Sequence, residues 1–272
     1  MHTQLIGLLA ETPVHVGAGQ STGAIDLPVA REAATDYPVV PGSGLKGALC
    51  DAARGGGWSP DELARIFGAP DAAGQLMVSD ARILLLPVRS LTGAYRWATC
   101  PHLLERLARD LGRAGSRAAP GLPSLNRDGY LGAGPAVLTL EERQFTRQGD
   151  LPVDLVDRLR TLIPHEETAG RLAAQVVVLH DDDFAWFARY GLAVAARNSL
   201  DIATKTSKNL WYEESVPPDA LFTALLGERA EGVVAGLLEL FAEAPYLQVG
   251  GNESVGQGVL ALAIPGNPRG EE

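Results

Sequence analysis

The stretch "ALFTALLGERAEGVVAGLLELFAEAPYLQVG", residues 220–250, decides the fold. Its opening, "ALFTALL", is short, apolar and stopped by glycine, as a buried strand is. "EGVVAGLLELFAEA" (231–244) then reads as an amphipathic helix. "YLQVG" (246–250) is apolar again and reads as a second strand. The unit is strand, helix, strand.

The N-terminal end repeats that order. "TQLIGLLA" (3–10) reads as a buried strand and is followed by a Pro- and Gly-rich loop from about residue 13 to 41. In "PGSGLKGALCDAARGGG" (41–57), Ser43 is placed as the N-cap of a short helix that ends at the glycine run from Gly55. "GQLMVSDARILLLPV" (74–88) has the apolar density of a central strand, or two short ones, stopped by Pro87. Two β-α-β halves predict an α+β fold, a ferredoxin-like or RRM-like split βαβ palm. Fold alone licenses no function.

The middle differs in character. "CPHLLERLARDLGRAGS" (100–116) is amphipathic, with Leu103, Leu104, Leu107 and Leu111 on one face. Residues 112–136 are rich in Gly, Pro, Ser and Arg and read as an exposed, mobile stretch. Further helices are expected near 151–162 and 183–190. We therefore expect one domain over 1–272, with helices and loops inserted at about 91–175. "RNSLDIATKTSKNLWYEESVPP" (197–218) reads as a protruding hairpin, bounded at about 194–217.

Composition narrows the function. The chain has 272 residues, 46% of them hydrophobic, which is ample for a packed core. No run reaches the length of a membrane span, and the N-terminus lacks the marks of a signal peptide. Cys50 and Cys100 are too few for a metal cluster and are expected to stay reduced. These features predict a soluble, cytoplasmic protein with no membrane partner. A net charge of −10 argues against non-specific gripping of nucleic acid, yet leaves room for one narrow basic strip. Lysine occurs only as Lys46, Lys205 and Lys208, and two of these fall in "TKTSKN".

Several constellations could carry chemistry. In "GAGQSTGAIDLPVARE" (17–32), three glycines precede a solitary acid, Asp26, with no charge nearer than Arg31. The glycines are spaced one residue too widely for a dinucleotide fingerprint. "GGNESVGQG" (250–258) resembles a phosphate loop, but Gln257 stands where the lysine belongs; an anion cradle and a tight turn both remain open. Ser43, Gly44 and Lys46 form a helix N-terminus that suits an anion, or a plain structural cap. The hairpin mixes Arg197, Lys205 and Lys208 with hydroxyls and aromatics, which suits single-stranded RNA. Trp211 and Tyr212 themselves read as core packing, with Glu213 and Glu214 facing water. Five histidines show no ligand spacing, and the acids of "HDDDF" (180–184) read as helix caps.

Five blocks occur in order: "HVGAGQSTGAIDLPVARE", "PVVPGSGLKGALCDAAR", "GQLMVSDARILLLPVRSLTGAYRWATCP", "NLWYEESVPP" and "YLQVGGNESVGQG". Together they resemble the repeating backbone subunit of type III-B CRISPR effectors, the Cmr complex, within the RAMP superfamily. The resemblance implies a palm with helical insertions and a thumb hairpin. It implies several copies lined along one CRISPR RNA, other Cmr subunits, and single-stranded target RNA read by guide pairing. It also implies target cutting at regular intervals, dependent on a divalent metal such as Mg2+ or Mn2+, by attack of a ribose 2′-oxygen on the adjacent phosphorus.

On the matching positions, the resemblance makes Asp26 the cleavage acid. A free carboxylate is a weak base at neutral pH, so holding the metal is the better role. His15, Glu213 and Glu214 are candidate helpers. Arg31, Ser43, Lys46, Arg197, Lys205, Lys208, Gly250 and Gly251 are the implied RNA contacts. The glycines around Asp26 predict a loop that orders only with RNA. Two rival readings stay in view: a non-catalytic RNA scaffold, and a metal-free endonuclease that processes CRISPR RNA using His15.

Overall fold

The computed structural model describes residues 2–116, 121 and 124–265. Strand β1 (Thr3–Ala10) leads through a long loop and the short β2 (Val39–Val40) into α1 (Gly42–Gly55) and α2 (Pro60–Phe67). A minimal hairpin, β3 (Gly68–Ala69) and β4 (Ala72–Ala73), then precedes β5 (Leu76–Val78), β6 (Ala81–Arg89) and β7 (Tyr95–Thr99). Next come α3 (Pro101–Arg113), β8 (Gly129–Gly132), β9 (Val137–Leu140) and β10 (Arg143–Gly149). Helices α4 (Val153–Arg160) and α5 (Glu166–Gln175) lead to β11 (Val176–Leu179) and α6 (Asp181–Tyr190). The chain closes through β12 (Ala193–Leu200), β13 (Ser207–Ser215), β14 (Leu221–Glu228), α7 (Val233–Glu239), β15 (Tyr246–Gln248) and β16 (Val259–Ala263).

The core of the large sheet runs β16-β1-β14-β6, every neighbour antiparallel. With α1 between β1 and β6, and α7 between β14 and β16, the chain order is β-α-β-β-α-β. β14 is buried along its whole length, and β1 nearly so, because both lie between other strands and under helices. Leu5 faces Leu225 and Leu8 faces both Phe222 and Leu262, so apolar rows meet across three strands. α1 buries Leu45, Leu49 and Ala53 at helical spacing, the two leucines worth roughly 1.5–3 kcal/mol each. Gly7 is a point of close approach: a Cβ there would sit 2.1 Å from the Leu162 carbonyl oxygen. Any side chain would push the 153–163 segment off β1.

Three expectations need correction. "YLQ" pairs only with β16 at the sheet edge, and the strand beside β1 is "VLALA" instead. The turn chemistry between them hides this register from a one-dimensional reading. The stretch 91–175 is not only helix and loop: β7, β8, β9 and β10 all join the large sheet. Within the presumed exposed stretch, "GYLG" (129–132) is a buried strand parallel to β10 and antiparallel to β11. Glycine and polar composition concealed it because Tyr130 and Leu131 carry nearly all its apolar surface.

Ser43 is also not the N-cap of α1. That position is Pro41, Ser43 lies inside the first turn, and the Gly42 N–H donates to Asp80 Oδ1 at 2.7 Å. A carboxylate thus occupies part of the site an anion would use. Among the described residues, no helix is long and apolar enough to cross a membrane, and both cysteines are free.

Candidate active site

β12 and β13 form a two-stranded hairpin separate from the large sheet, exposed for most of its length. Its root is where the loop carrying Asp26 docks. The loop is stitched by bridges pairing Val14 with Val216, Gly17 with Val29, Leu27 with Glu213 and Arg31 with Pro38. Leu27 N–H donates to the Tyr212 carbonyl at 3.0 Å, and Glu214 N–H to the Leu27 carbonyl at 3.0 Å. β13 therefore has β12 on one edge and the loop on the other. The expectation of a loop ordered only by RNA is corrected for these flanks, whose backbone is paired within the chain; the exposed tip is Gly19–Ala24.

Asp26 is half-buried. Its Oδ2 accepts the Tyr212 N–H at 2.7 Å, and its backbone carbonyl accepts the Ser21 N–H at 2.9 Å. Beside it opens a cleft of about 410 Å³, lined also by Gln20, Ser21, Leu27 and Trp211. One carboxylate oxygen is thus clasped by backbone while the group borders open space.

Glu213 and Glu214 do not face water; both are buried, at 5% and 3% exposure. Strand alternation sends them to opposite sides. Glu214 accepts Arg31 Nη2 at 2.7 Å and Val29 N–H at 3.0 Å. Glu213 accepts Arg197 Nη2 at 3.3 Å and Asn252 Nδ2 at 2.6 Å. Both therefore tie the hairpin to the body. Arg31, assigned to RNA from the resemblance, points inward: its Nη1 also donates to the carbonyls of Asp36 and Ala188, at 2.8 and 2.7 Å. Three of its five donors are spent on the protein.

His15 is buried, with Nδ1 2.7 Å from the Glu214 carbonyl oxygen. A carbonyl only accepts, so Nδ1 carries the proton. Gly250, at φ +84°, packs against the same residue: Gly251 N–H donates to the His15 carbonyl at 2.9 Å, and a Cβ on Gly250 would lie 2.4 Å from that oxygen. The Gly-rich turn is thereby a buttress for the loop, and His15 is its anchor.

The remaining basic residues lie elsewhere. Lys205 is exposed at the hairpin tip, and Lys208 pairs with Asp201 at 3.0 Å. Asp201 also accepts the N–H groups of Ala203 and Thr204, each at 2.9 Å. These bonds, Thr204 first and Lys208 next, hold its carboxyl down at about 2. Ser43 and Lys46 line a separate cleft of about 690 Å³, closed on one side by the β3–β4 hairpin and bordered by Arg229.

Sequence reading missed Asn252 and misplaced the aromatics. Trp211 lies outside the main core at the Asp26 cleft, and Tyr212 is 45% exposed. Strand alternation alone would have grouped Trp211 with Glu213 on one face. Asn252, at φ +63°, was marked only by its place after two glycines. The acids of "HDDDF" do sit in the first turn of α6, with Asp183 wholly buried against Arg143 at 2.6 Å.

Comparison with known proteins agrees with this architecture. Residues 8–261 match the model of the RAMP superfamily. The CRISPR system Cmr endoribonuclease Cmr4 of Pyrococcus furiosus is 32% identical, over 97% of this chain and 96% of that protein. The crystal structure of oligomeric Cmr4 from the same organism has a TM-score of 0.78 at 28% identity, covering 97% of this chain and 98% of that one. A chain in the cryo-EM structure of the type III-B Cmr-beta complex bound to cognate target RNA has a TM-score of 0.76 at 20% identity, covering 97% of each, a likeness of fold. The chain belongs to the RAMP superfamily, in its Cmr4 family.

Proposed function

We propose that the chain is a repeating backbone subunit of a cytoplasmic type III-B CRISPR ribonucleoprotein that holds CRISPR RNA and cuts complementary target RNA once per subunit. The observation that carries this reading is the Asp26 carboxylate, clasped by the Tyr212 N–H and bordering an open cleft at the hairpin root. The relative named as an endoribonuclease supports the activity, and the oligomeric solved relative supports the repeat.

A target nucleotide unstacked at the hairpin would bring its 2′-oxygen in line with the adjacent phosphorus, and orientation of this kind supplies much of the acceleration. The 2′-oxygen bonds to phosphorus as the P–O5′ bond breaks, leaving a cyclic phosphate and a 5′-hydroxyl. The 2′-proton departs to a base and the 5′-oxygen takes one up. Oδ1 of Asp26, not engaged by Tyr212, would take that proton only as a weak base, and holding a metal remains its better role.

The divalent metal implied by the resemblance does not fit the chain by itself. Among the described residues, no group of three or more His, Cys, Asp or Glu side chains could hold an ion. Asp26 offers one carboxylate, and RNA oxygens would have to supply the rest. Lys205, Lys208 and the Ser43–Lys46 helix start would meet guide phosphates, a few per copy, and Arg197 would meet RNA on the side of the Asp26 cleft. A filament sums these, which reconciles RNA binding with a net charge of −10. Replacing Asp26 in an assembled complex tests the reading: cutting stops while target stays bound. If cutting persists, the chemistry belongs to another residue; if it stops only because target binding is lost, the scaffold reading gains.

A further inference from the structure

Midway along the hairpin lie two buried donors that no group among the described residues engages. Trp211 Nε1 and Arg197 Nε are both buried without a hydrogen-bond partner. Unpaired buried donors are costly and uncommon, so a neighbouring pair needs a reason.

They are neighbours by register. Arg197 and Trp211 are directly opposite across β12 and β13, and Ala195 faces Glu213 two residues along. Directly opposite residues project from one face with Cβ atoms about 5 Å apart. Glu213 accepts Arg197 Nη2 at 3.3 Å and is itself held by Asn252 at 2.6 Å. The guanidinium is therefore fixed by its far end while its Nε stays buried and, among the described residues, unpaired. Trp211 lines the cleft that Asp26 borders. Core packing does not explain the indole, since Trp211 is half-buried and outside the main cluster. Phenylalanine would fill that space without stranding a donor.

An indole N–H beside a guanidinium N–H selects an acceptor, and the positive charge favours an anionic one. A phosphodiester has two non-bridging oxygens free for such donors. We infer that Trp211 and Arg197 form a phosphate-receiving pair that seats the RNA backbone entering the Asp26 cleft, Trp211 through its N–H and Arg197 through Nε. The inference rests on the reading of that cleft as the target-RNA site. Trp211 is then a positioning residue: it orients phosphorus for in-line attack and moves no proton.

The test uses assembled ribonucleoprotein and single-turnover cutting of target RNA. The targets carry either a normal scissile phosphate or one of its two phosphorothioate stereoisomers. Sulfur accepts hydrogen bonds poorly, so one isomer slows the native protein. Trp211→Phe keeps an aromatic, though smaller, ring and removes the donor. It is expected to slow cutting of normal RNA roughly ten- to hundredfold, with target binding unchanged, and to abolish the difference between isomers. Arg197→Lys keeps the charge, removes Nε and is expected to behave alike; it carries the test if Trp211→Phe assembles poorly. Native-rate cutting by both variants, or full discrimination between isomers in both, overturns the inference. Asp26→Ala run beside them separates the two levels. If that variant is inactive while Trp211→Phe and Arg197→Lys are unchanged, only the phosphate pair is wrong; if it cuts normally, the cleft reading falls and takes the pair with it.

Discussion

The carboxylate of Asp26 and the backbone N–H of Tyr212, 186 positions apart in the chain, meet at 2.7 Å. This single bond makes the aim of the acid depend on β13. Whatever holds the hairpin root in place also holds Asp26.

The more deeply buried ion pair there is Arg31 with Glu214, whose side chains are 15% and 4% exposed. Removing one partner of a buried pair strands the other charge. Arg31→Ala is expected to destabilise the protein by about 3 kcal/mol, read from urea unfolding, and to impair cutting in complexes that still assemble. A loss below about 1 kcal/mol would mean that the pair is solvated and does not anchor the loop.

Gly250 and Gly251 should differ sharply despite being adjacent. Gly250 has φ +84° and would put a Cβ 2.4 Å from the His15 carbonyl oxygen, whereas a Cβ on Gly251 finds ordinary contact at 3.7 Å. Gly250→Ala is expected to cost about 2 kcal/mol or more, and Gly251→Ala within about 0.5 kcal/mol. Thermal melting of the two variants side by side checks this. Equal costs would contradict the buttress role given to the turn.

The hairpin tip separates binding from folding. Lys205 is exposed and donates its backbone N–H to the Asp201 carbonyl, so its side chain is free of the fold's stability. Lys205→Ala should leave melting unchanged, weaken guide RNA binding, and reduce the salt slope of that binding by roughly one. An unchanged salt slope would remove Lys205 from the RNA path.

Asp201 gives the tip a pH dependence of known sign. Its folded-state carboxyl is held down at about 2 by the Thr204 N–H, Lys208 and the Ala203 N–H. A lowered folded value means the contribution is present above the ordinary carboxylate range and is lost as pH falls through the folded value. Protection of the Ala203 and Thr204 amides from exchange, relative to the intrinsic rate at each pH, should therefore hold through pH 4 and fall toward about 2. Fraying already complete at pH 4 would show that those bonds do not form.

Much of the palm was legible because local pattern and tertiary role agree there. "TQLIGLLA", "ALFTALL" and the α7 segment are buried where their apolar runs place them. "GYLG" escaped because a four-residue strand with two glycines has no periodicity to read. At the site, Asp26 stood out as a solitary acid. The partners of Glu213, Glu214 and His15 did not, because they come from positions up to 199 residues away and some of them are backbone atoms, which composition cannot reveal.

The most direct measurement is target cutting by assembled complexes carrying Asp26→Asn. Asparagine keeps a side-chain oxygen for the Tyr212 N–H and removes only the charge, so the loop stays clasped. The account predicts that cutting falls a hundredfold or more, roughly the scale of a lost acid–base group, while guide and target remain bound at native affinity. Cutting within a few-fold of native, with target equally bound, would contradict it.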